Sequence, residues 1–176
     1  ADFDNAVHQL RENYGTKAVL VQYPVQTGTS FNAVVDVLKM KMYRWKPEGG
    51  KPDVLDIPAE EIDKATELHK ALIEAAAEHD DTLMEKFFAE GTLSEDDMRA
   101  GIRAGLVTRG MYPIFCVCAG KDMCVRRTLE FLGKIVPCTD KMPRPVTTDG
   151  IEVTPDTAGP TSLFFFKTTI EPHIGQ

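Results

Sequence analysis

Two short apolar runs constrain this chain most. Residues 18–21 read Ala-Val-Leu-Val, and residues 112–117 read Tyr-Pro-Ile-Phe-Cys-Val. Both are short and rich in β-branched or aromatic residues, which suits a buried strand better than a helix. Helical spacing accompanies each run. Phe3, Ala6, Val7, Leu10 and Tyr14 recur at helical intervals before the first, and Gly15 is placed as a left-handed stop. Val125, Leu129, Leu132, Ile135 and Val136 form a helix stripe after the second. Helix and buried strand in this alternation predict an α/β layer.

The segment between the runs has a different character. Over 31–45 apolar and polar residues alternate in part: Val35, Val37, Met40 and Met42, with Asp36, Lys39 and Lys41 between. That pattern predicts one or two half-buried antiparallel strands. Pro47-Glu-Gly-Gly-Lys-Pro52 is a turn or exposed loop. Pro58, Glu60 and Glu61 open a long helix with the stripe Ile62, Ala65, Leu68, Leu72 and Ala76. A second helix carries Leu83, Met84, Phe87 and Phe88. A third starts at Ser94, with Asp97 in a capping-box position, and carries Met98, Ile102 and Leu106. Residues 57–97 hold 13 Asp/Glu against 3 Lys, a net −10 that exceeds the −7 of the whole chain. This stretch is therefore an acidic helical subdomain.

Composition narrows the classes of function. A net charge of −7 does not suit a nucleic-acid coat, which needs clustered Lys and Arg. It leaves open an acidic surface aimed at a basic partner. No apolar run approaches the roughly 20 residues of a membrane span. The opening Ala1-Asp2-Phe3-Asp4 does not read as a signal peptide, and it lacks an initiator Met, as expected of a cut or processed chain. Cys116, Cys118, Cys124 and Cys138 are accordingly expected to be reduced, cytosolic thiols.

Local signatures of chemistry are sparse. Gly50-Lys51, Gly120-Lys121 and Gly133-Lys134 lack the following Ser or Thr and the upstream Gly of a phosphate cradle. Asp156-Thr-Ala-Gly159 fits a D-x-x-G pattern but sits in a Pro-rich turn with no cradle before it. The cysteine spacing does not give the close C-x₂-C pairs usual for structural zinc. Cys116 and Cys118 are expected to point the same way beside a strand, as small buried residues. His8, His69, His79 and His173 are scattered, and adjacent pairs such as Glu60-Glu61 do not face each other on a helix. No catalytic or metal site is assigned on this reading.

Several stretches, in order, resemble elongation factor G, a ribosome-dependent translational GTPase. Ala1-Asp2-Phe3 resembles the segment that follows the family's guanine-reading N-K-x-D motif. Val19-Leu-Val-Gln-Tyr-Pro24 resembles the next core strand. Residues 31–43, Phe-Asn-Ala-Val-Val-Asp-Val-Leu-Lys-Met-Lys-Met-Tyr, resemble the family's F-x-G-V-I-D-L-V-x-M-K-A-Y and are the most specific match. Pro113-Ile-Phe-Cys-Val-Cys-Ala-Gly-Lys-Asp-Met-Cys-Val125 resembles P-V-F-x-G-S-A-x-K-N-x-G-V, the last guanine-contacting loop. Residues 159–175 resemble the first strand of the β-barrel domain that follows.

The resemblance implies an α/β fold: the tail of a P-loop-type G domain (1–24 and 112–138), an inserted acidic α+β subdomain (25–111), then a linker and the first strand of a truncated β-barrel domain (139–176). It implies that the intact parent binds GTP with Mg²⁺ and hydrolyses it as tRNA and mRNA move on the ribosome, in the cytoplasm. Because the phosphate motifs precede this stretch in the family, this piece is expected to bind no cofactor by itself and to be inactive. The guanine loop falls on Cys118, Ala119 and Gly120, with the Ala119 N–H as the contact. Cys118 stands where the family has Ser and Val117 where it has Gly. A thiol is a weaker donor than a hydroxyl, and Val resists positive φ, so weakened guanine affinity is expected. The insertion is implied to meet the stalk protein of the large ribosomal subunit, through an acidic face at Glu60, Glu61, Glu67, Glu74 and Glu78. No direct nucleic-acid binding is expected. The alternatives are a non-enzymatic acidic module that docks a basic ribosomal partner, and a thiol-rich metal-binding domain.

Overall fold

The structure is a computed structural model that describes residues 2–169. Contacts divide the chain into two compact units, 1–137 and 138–176.

The first unit is mixed α/β. Helix α1 (Phe3–Tyr14) is capped by Asp2, whose carboxylate accepts the Asn5 N–H at 3.0 Å, and ends at Gly15 with φ 61°. An extended stretch follows that belongs to two sheets. Its first half, β1 (Ala18–Leu20), pairs in parallel with β6 (Tyr112–Ile114), Ala18 opposite Tyr112. Its second half, β2 (Gln22–Pro24), starts an antiparallel meander with β3 (Ala33–Asp36), β4 (Lys41–Arg44) and β5 (Asp53–Leu55), in the order β2-β3-β4-β5. Val21 is the junction. Its N–H donates to the Ile114 carbonyl at 3.1 Å, and its own carbonyl accepts the Val37 N–H at 2.9 Å.

Helices α2 (Ala59–Ala77), α3 (Asp81–Glu90) and α4 (Glu95–Thr108) lie between β5 and β6 in sequence, and α5 (Val125–Ile135) follows β6. The capping box at Ser94 and Asp97 forms as its spacing predicts. One core cluster joins Val21, Tyr23 and Val35 to Leu72 and Ile73 of α2, Met98 and Ile102 of α4, and Phe131 and Ile135 of α5. The elements between β1 and β6 in sequence and those on either side of them therefore share a single interior. Helices α2 and α4 touch backbone to backbone. A Cβ on Gly101 would stand 2.3 Å from the Ala76 carbonyl oxygen, so only glycine fits there.

Four expectations are corrected. Strand β6 is Tyr112–Ile114, shorter than the run 112–117, because the chain turns into a loop and Val117 is exposed. The buried face of α5 is Phe131 and Ile135, whereas Leu129, Leu132 and Val136 are exposed. The helix has two apolar faces, and the one read as the core stripe is mostly the outer one. β3 is buried on both faces, Asp36 included, because the meander is covered on two sides. Residues 162–169 form no strand, and Leu163, Phe164, Phe165 and Phe166 are exposed. A β-prone segment makes no ladder without a neighbour to pair with, and among the described residues there is no barrel. The rest of that match, 170–175, and His173 lie outside the described residues.

Within the described part of the second unit, Val146 bridges Glu152 around a turn whose Gly150 has φ 79°. At the D-x-x-G segment, the Asp156 carboxylate accepts the Ala158 N–H at 2.9 Å, an Asx turn. No helix among the described residues is long and apolar enough to cross a membrane.

Candidate functional site

Cys118, Ala119 and Gly120, named from the sequence, lie in a loop over 118–123 that hangs between the end of β6 and the start of α5. Cys118 and Met123 close it with two reciprocal backbone hydrogen bonds, each 3.1 Å. Inside, a short 3-10 turn runs over Ala119–Lys121. The Lys121 N–H donates to the Cys118 carbonyl, and the Asp122 N–H to the Ala119 carbonyl, both at 3.1 Å. Asp122 and Cys124 take positive φ, 53° and 61°, and turn the chain into α5. Val117 does not take positive φ, so its β-branch is not strained there. These bonds leave the Ala119 and Gly120 N–H groups without a partner among the described residues, and both residues are exposed. The loop thus offers two adjacent backbone donors to solvent. Two donors on one tight turn suit a small acceptor such as a carbonyl oxygen.

The loop rests on the β2-β3-β4-β5 meander. Met123 and Cys124 are 1% exposed and form a second apolar cluster with Val34, Tyr43 and Trp45 of the meander side, with Phe31, Cys116 and Cys118 packed against it. Cys116 and Cys118 both lie against this cluster, but they are only partly buried, and Cys124 is the buried thiol. Burial pushes the Cys116 thiol up to about 12. Burial also pushes Cys124 up to about 12, helped by the nearby Cys116 and Asp36. Neither is therefore a thiolate nucleophile near neutral pH. Among the described residues, no three His, Cys, Asp or Glu side chains come together as metal ligands.

A charged network ties α5 to β3 just behind the loop. Asp36, 1% exposed, receives Arg127 at 2.6 Å and 3.3 Å and the Lys39 N–H at 3.0 Å. Arg127 also pairs with Glu130 and lies 5.1 Å from the centre of the Tyr43 ring. Hydrogen bonding from Lys134, with Arg127 and Lys39 nearby, holds the Glu130 carboxyl down at about 2. At the far end of α5, Arg103 of α4 donates to the Ile135 and Lys134 carbonyls at 3.1 and 2.6 Å. Both ends of α5 are thereby fixed, one by Asp36 of β3 and the other by Arg103 of α4.

The acidic residues fall into two groups. Glu60, Glu67 and Glu74 are spaced by seven and Glu78 follows four later, so all four share one face of α2. Glu61 lies about 100° round from Glu60, and its carbonyl accepts the Tyr23 hydroxyl at 3.3 Å. Glu74 and Glu78 border a groove of about 960 Å³ between α1, β1, α2 and α3, whose apolar wall includes Val19, Leu68, Met84 and Phe87. Glu67 borders the neighbouring groove between α1 and α2, beside Lys64. The structure therefore brings Cys118, Ala119 and Gly120 into one loop, and Glu60, Glu67, Glu74 and Glu78 onto one stripe. It does not join the two sets. Of the histidines, His69 holds the Val37 carbonyl at 2.7 Å, and His79 packs against Gly105 and Gly110. Sequence reasoning missed Asp36 and Arg127. Their only signal was a carboxylate inside an otherwise apolar strand.

No protein-family model matches the chain. A solved structure of a protein from Thermus thermophilus has a similar fold, with a TM-score of 0.66 and 22% identity. The match covers 78% of this chain and 20% of that one. The chain thus spans about a fifth of that protein's length, and at this identity the likeness concerns the fold.

Proposed function

We propose that this chain is part of a translational GTPase resembling elongation factor G, to which it contributes the last guanine-contacting loop and an acidic docking subdomain. The observation that carries the reading is the pair of exposed, unpartnered N–H groups at Ala119 and Gly120, on the loop that resembles P-V-F-x-G-S-A. The guanine O6 is an acceptor that the Ala119 N–H would meet. The chain has no phosphate cradle, so its own residues would hold only the base edge, and GTP with Mg²⁺ would be held through the rest of the factor. In this role the fragment by itself neither binds GTP tightly nor hydrolyses it.

Ala119→Pro in the intact factor tests this reading. Proline removes the N–H and fits the first position of the 3-10 turn. The preceding Cys118, at φ −119° and ψ 89°, lies outside the helical region that a following proline disfavours. No hydrogen bond of the fold is lost. Guanine-nucleotide affinity should fall about tenfold or more, the loss of one buried contact, with the melting temperature unchanged. Unchanged affinity would reject the guanine role.

A second reading, an acidic module that docks a basic ribosomal partner, is favoured by the Glu60, Glu67, Glu74 and Glu78 stripe. Glu67, Glu74 and Glu78 of this stripe border two adjoining grooves with apolar walls, a combination that suits a basic amphipathic segment. The stalk protein of the large ribosomal subunit is the candidate partner. The two readings are compatible, because the stripe and the loop do not overlap.

A further inference from the structure

The turn between β4 and β5, residues 46–50, reaches over to the 118–123 loop. Gly49 closes this turn with an N–H that donates to the Lys46 carbonyl at 2.9 Å, at φ 80°. A Cβ built on Gly49 would stand 2.2 Å from the Lys121 carbonyl oxygen and 3.2 Å from its carbon. The contact is backbone on backbone, so no side chain can move aside to relieve it. Gly50, next in sequence, has φ 87° and nothing within 4 Å of its Cβ position. The base of the turn is anchored on the same side. The Trp45 N–H donates to the Asn32 carbonyl at 2.7 Å, and its ring is buried in the cluster that holds Met123 and Cys124. The loop is therefore held by the turn at Lys121, and the helix that follows it is tied to β3 by the Asp36–Arg127 pair.

From these contacts we infer that the 46–50 turn is a brace for the 119–122 backbone, with Gly49 as the positioning residue that sets how the Ala119 and Gly120 N–H groups are presented. The functional consequence rests on the guanine reading above. The mechanical part does not. The turn belongs to the inserted meander, so a load on the meander would reach the loop through Gly49 without passing through the main core.

Gly49 and Gly50 give a matched test. Alanine at either position meets a positive φ, so both variants carry the same kind of backbone strain. Only Gly49→Ala also pushes on Lys121. In the ¹⁵N-labelled chain, amide exchange at Asp122 and Met123 should quicken about tenfold in Gly49→Ala, as when one loop hydrogen bond is lost. Amide shifts should spread over 119–123. In Gly50→Ala the changes should stay within the turn. Equal effects at 119–123 from both variants, or none from Gly49→Ala, would overturn the brace. Should Gly49→Ala fail to fold, the wild-type chain carries the test. Nuclear Overhauser contacts from the Gly49 Hα atoms to the Lys121 and Asp122 amides are expected, and their absence overturns the proposal. The intact factor separates the two claims. If Gly49→Ala moves the loop but leaves guanine-nucleotide affinity unchanged, the brace stands and the guanine reading falls. If Ala119→Pro lowers affinity while Gly49→Ala leaves the loop unmoved, the guanine reading stands and the brace falls.

Discussion

Replacing Gly101 by alanine should destabilise the protein, although alanine is the better helix former. Two effects oppose each other. Gly→Ala inside a helix contributes about 1 kcal/mol through propensity. Against it, the new Cβ would lie 2.3 Å from the Ala76 carbonyl oxygen, 2.8 Å from its carbon and 3.0 Å from the Ala76 Cβ. Separations this short force α2 and α4 apart, because the first two contacts are backbone. Overpacking of a tight interior costs about 1–3 kcal/mol and sometimes more, and here the displaced body is a whole helix, so the upper end applies. The balance is a net loss of about 2 kcal/mol, or about 4–8 °C in Tm for a chain of this size. Gly133 is the internal reference. It lies in α5 with nothing within 4 Å of its Cβ position, so Gly133→Ala keeps the propensity gain alone. Thermal and urea denaturation, followed by helical circular dichroism, should show the two variants moving in opposite directions. If Gly101→Ala were as stable as the wild type, the close approach of α2 and α4 would be wrong.

Further predictions follow from the network and the thiols. Asp36→Ala should cost about 3 kcal/mol in urea denaturation, because it leaves the mostly buried Arg127 without its carboxylate; a loss below about 1 kcal/mol would deny that pair a structural role. Acid should weaken the fold through Glu130: its carboxyl is depressed to about 2, so its contribution is complete above the ordinary value near 4.5 and is lost as pH falls from there towards 2. Glu130→Gln should flatten that part of the stability–pH curve. Burial keeps the Cys116 and Cys124 thiols protonated at pH 8, so alkylation mapped by mass spectrometry should mark exposed Cys138 early and those two only on unfolding. Charge reversal at Glu67, Glu74 and Glu78 together should abolish any salt-sensitive shift that the stalk protein induces in α2; an undiminished shift would remove the stripe from the docking face.

Local rules were legible in the sequence, and long-range contacts were not. The Ser94–Asp97 capping box depends on residues within one turn and forms as its spacing predicts; Gly15 does end α1 with a positive φ, but at ψ −141° it is not a left-handed helical stop. Two buried-strand patterns could be read at 18–21 and 112–117, but their parallel pairing, Ala18 opposite Tyr112, appears only in the structure. Asp36 read as a solvated residue of a half-buried strand because its partner Arg127 is 91 residues away. The faces of α5 were confused for a related reason: apolar residues at helical spacing occupy both sides, and only the position of the core decides between Phe131 and Leu129. The segment 162–169 has high strand propensity, but a ladder needs a neighbour, and propensity alone cannot supply one. For the candidate loop, the residues could be named from the resemblance. Its unpartnered donors and its contact with Gly49 appear only in three dimensions.

The central claim is that this chain works as part of a guanine-nucleotide factor. Sequencing the native gene immediately upstream of Ala1 tests it most directly. The account predicts an N-K-x-D motif within a few residues of Ala1, preceded by a phosphate-cradle motif. A start codon or an unrelated domain at that place would contradict it, and would leave the acidic docking module as the function to pursue.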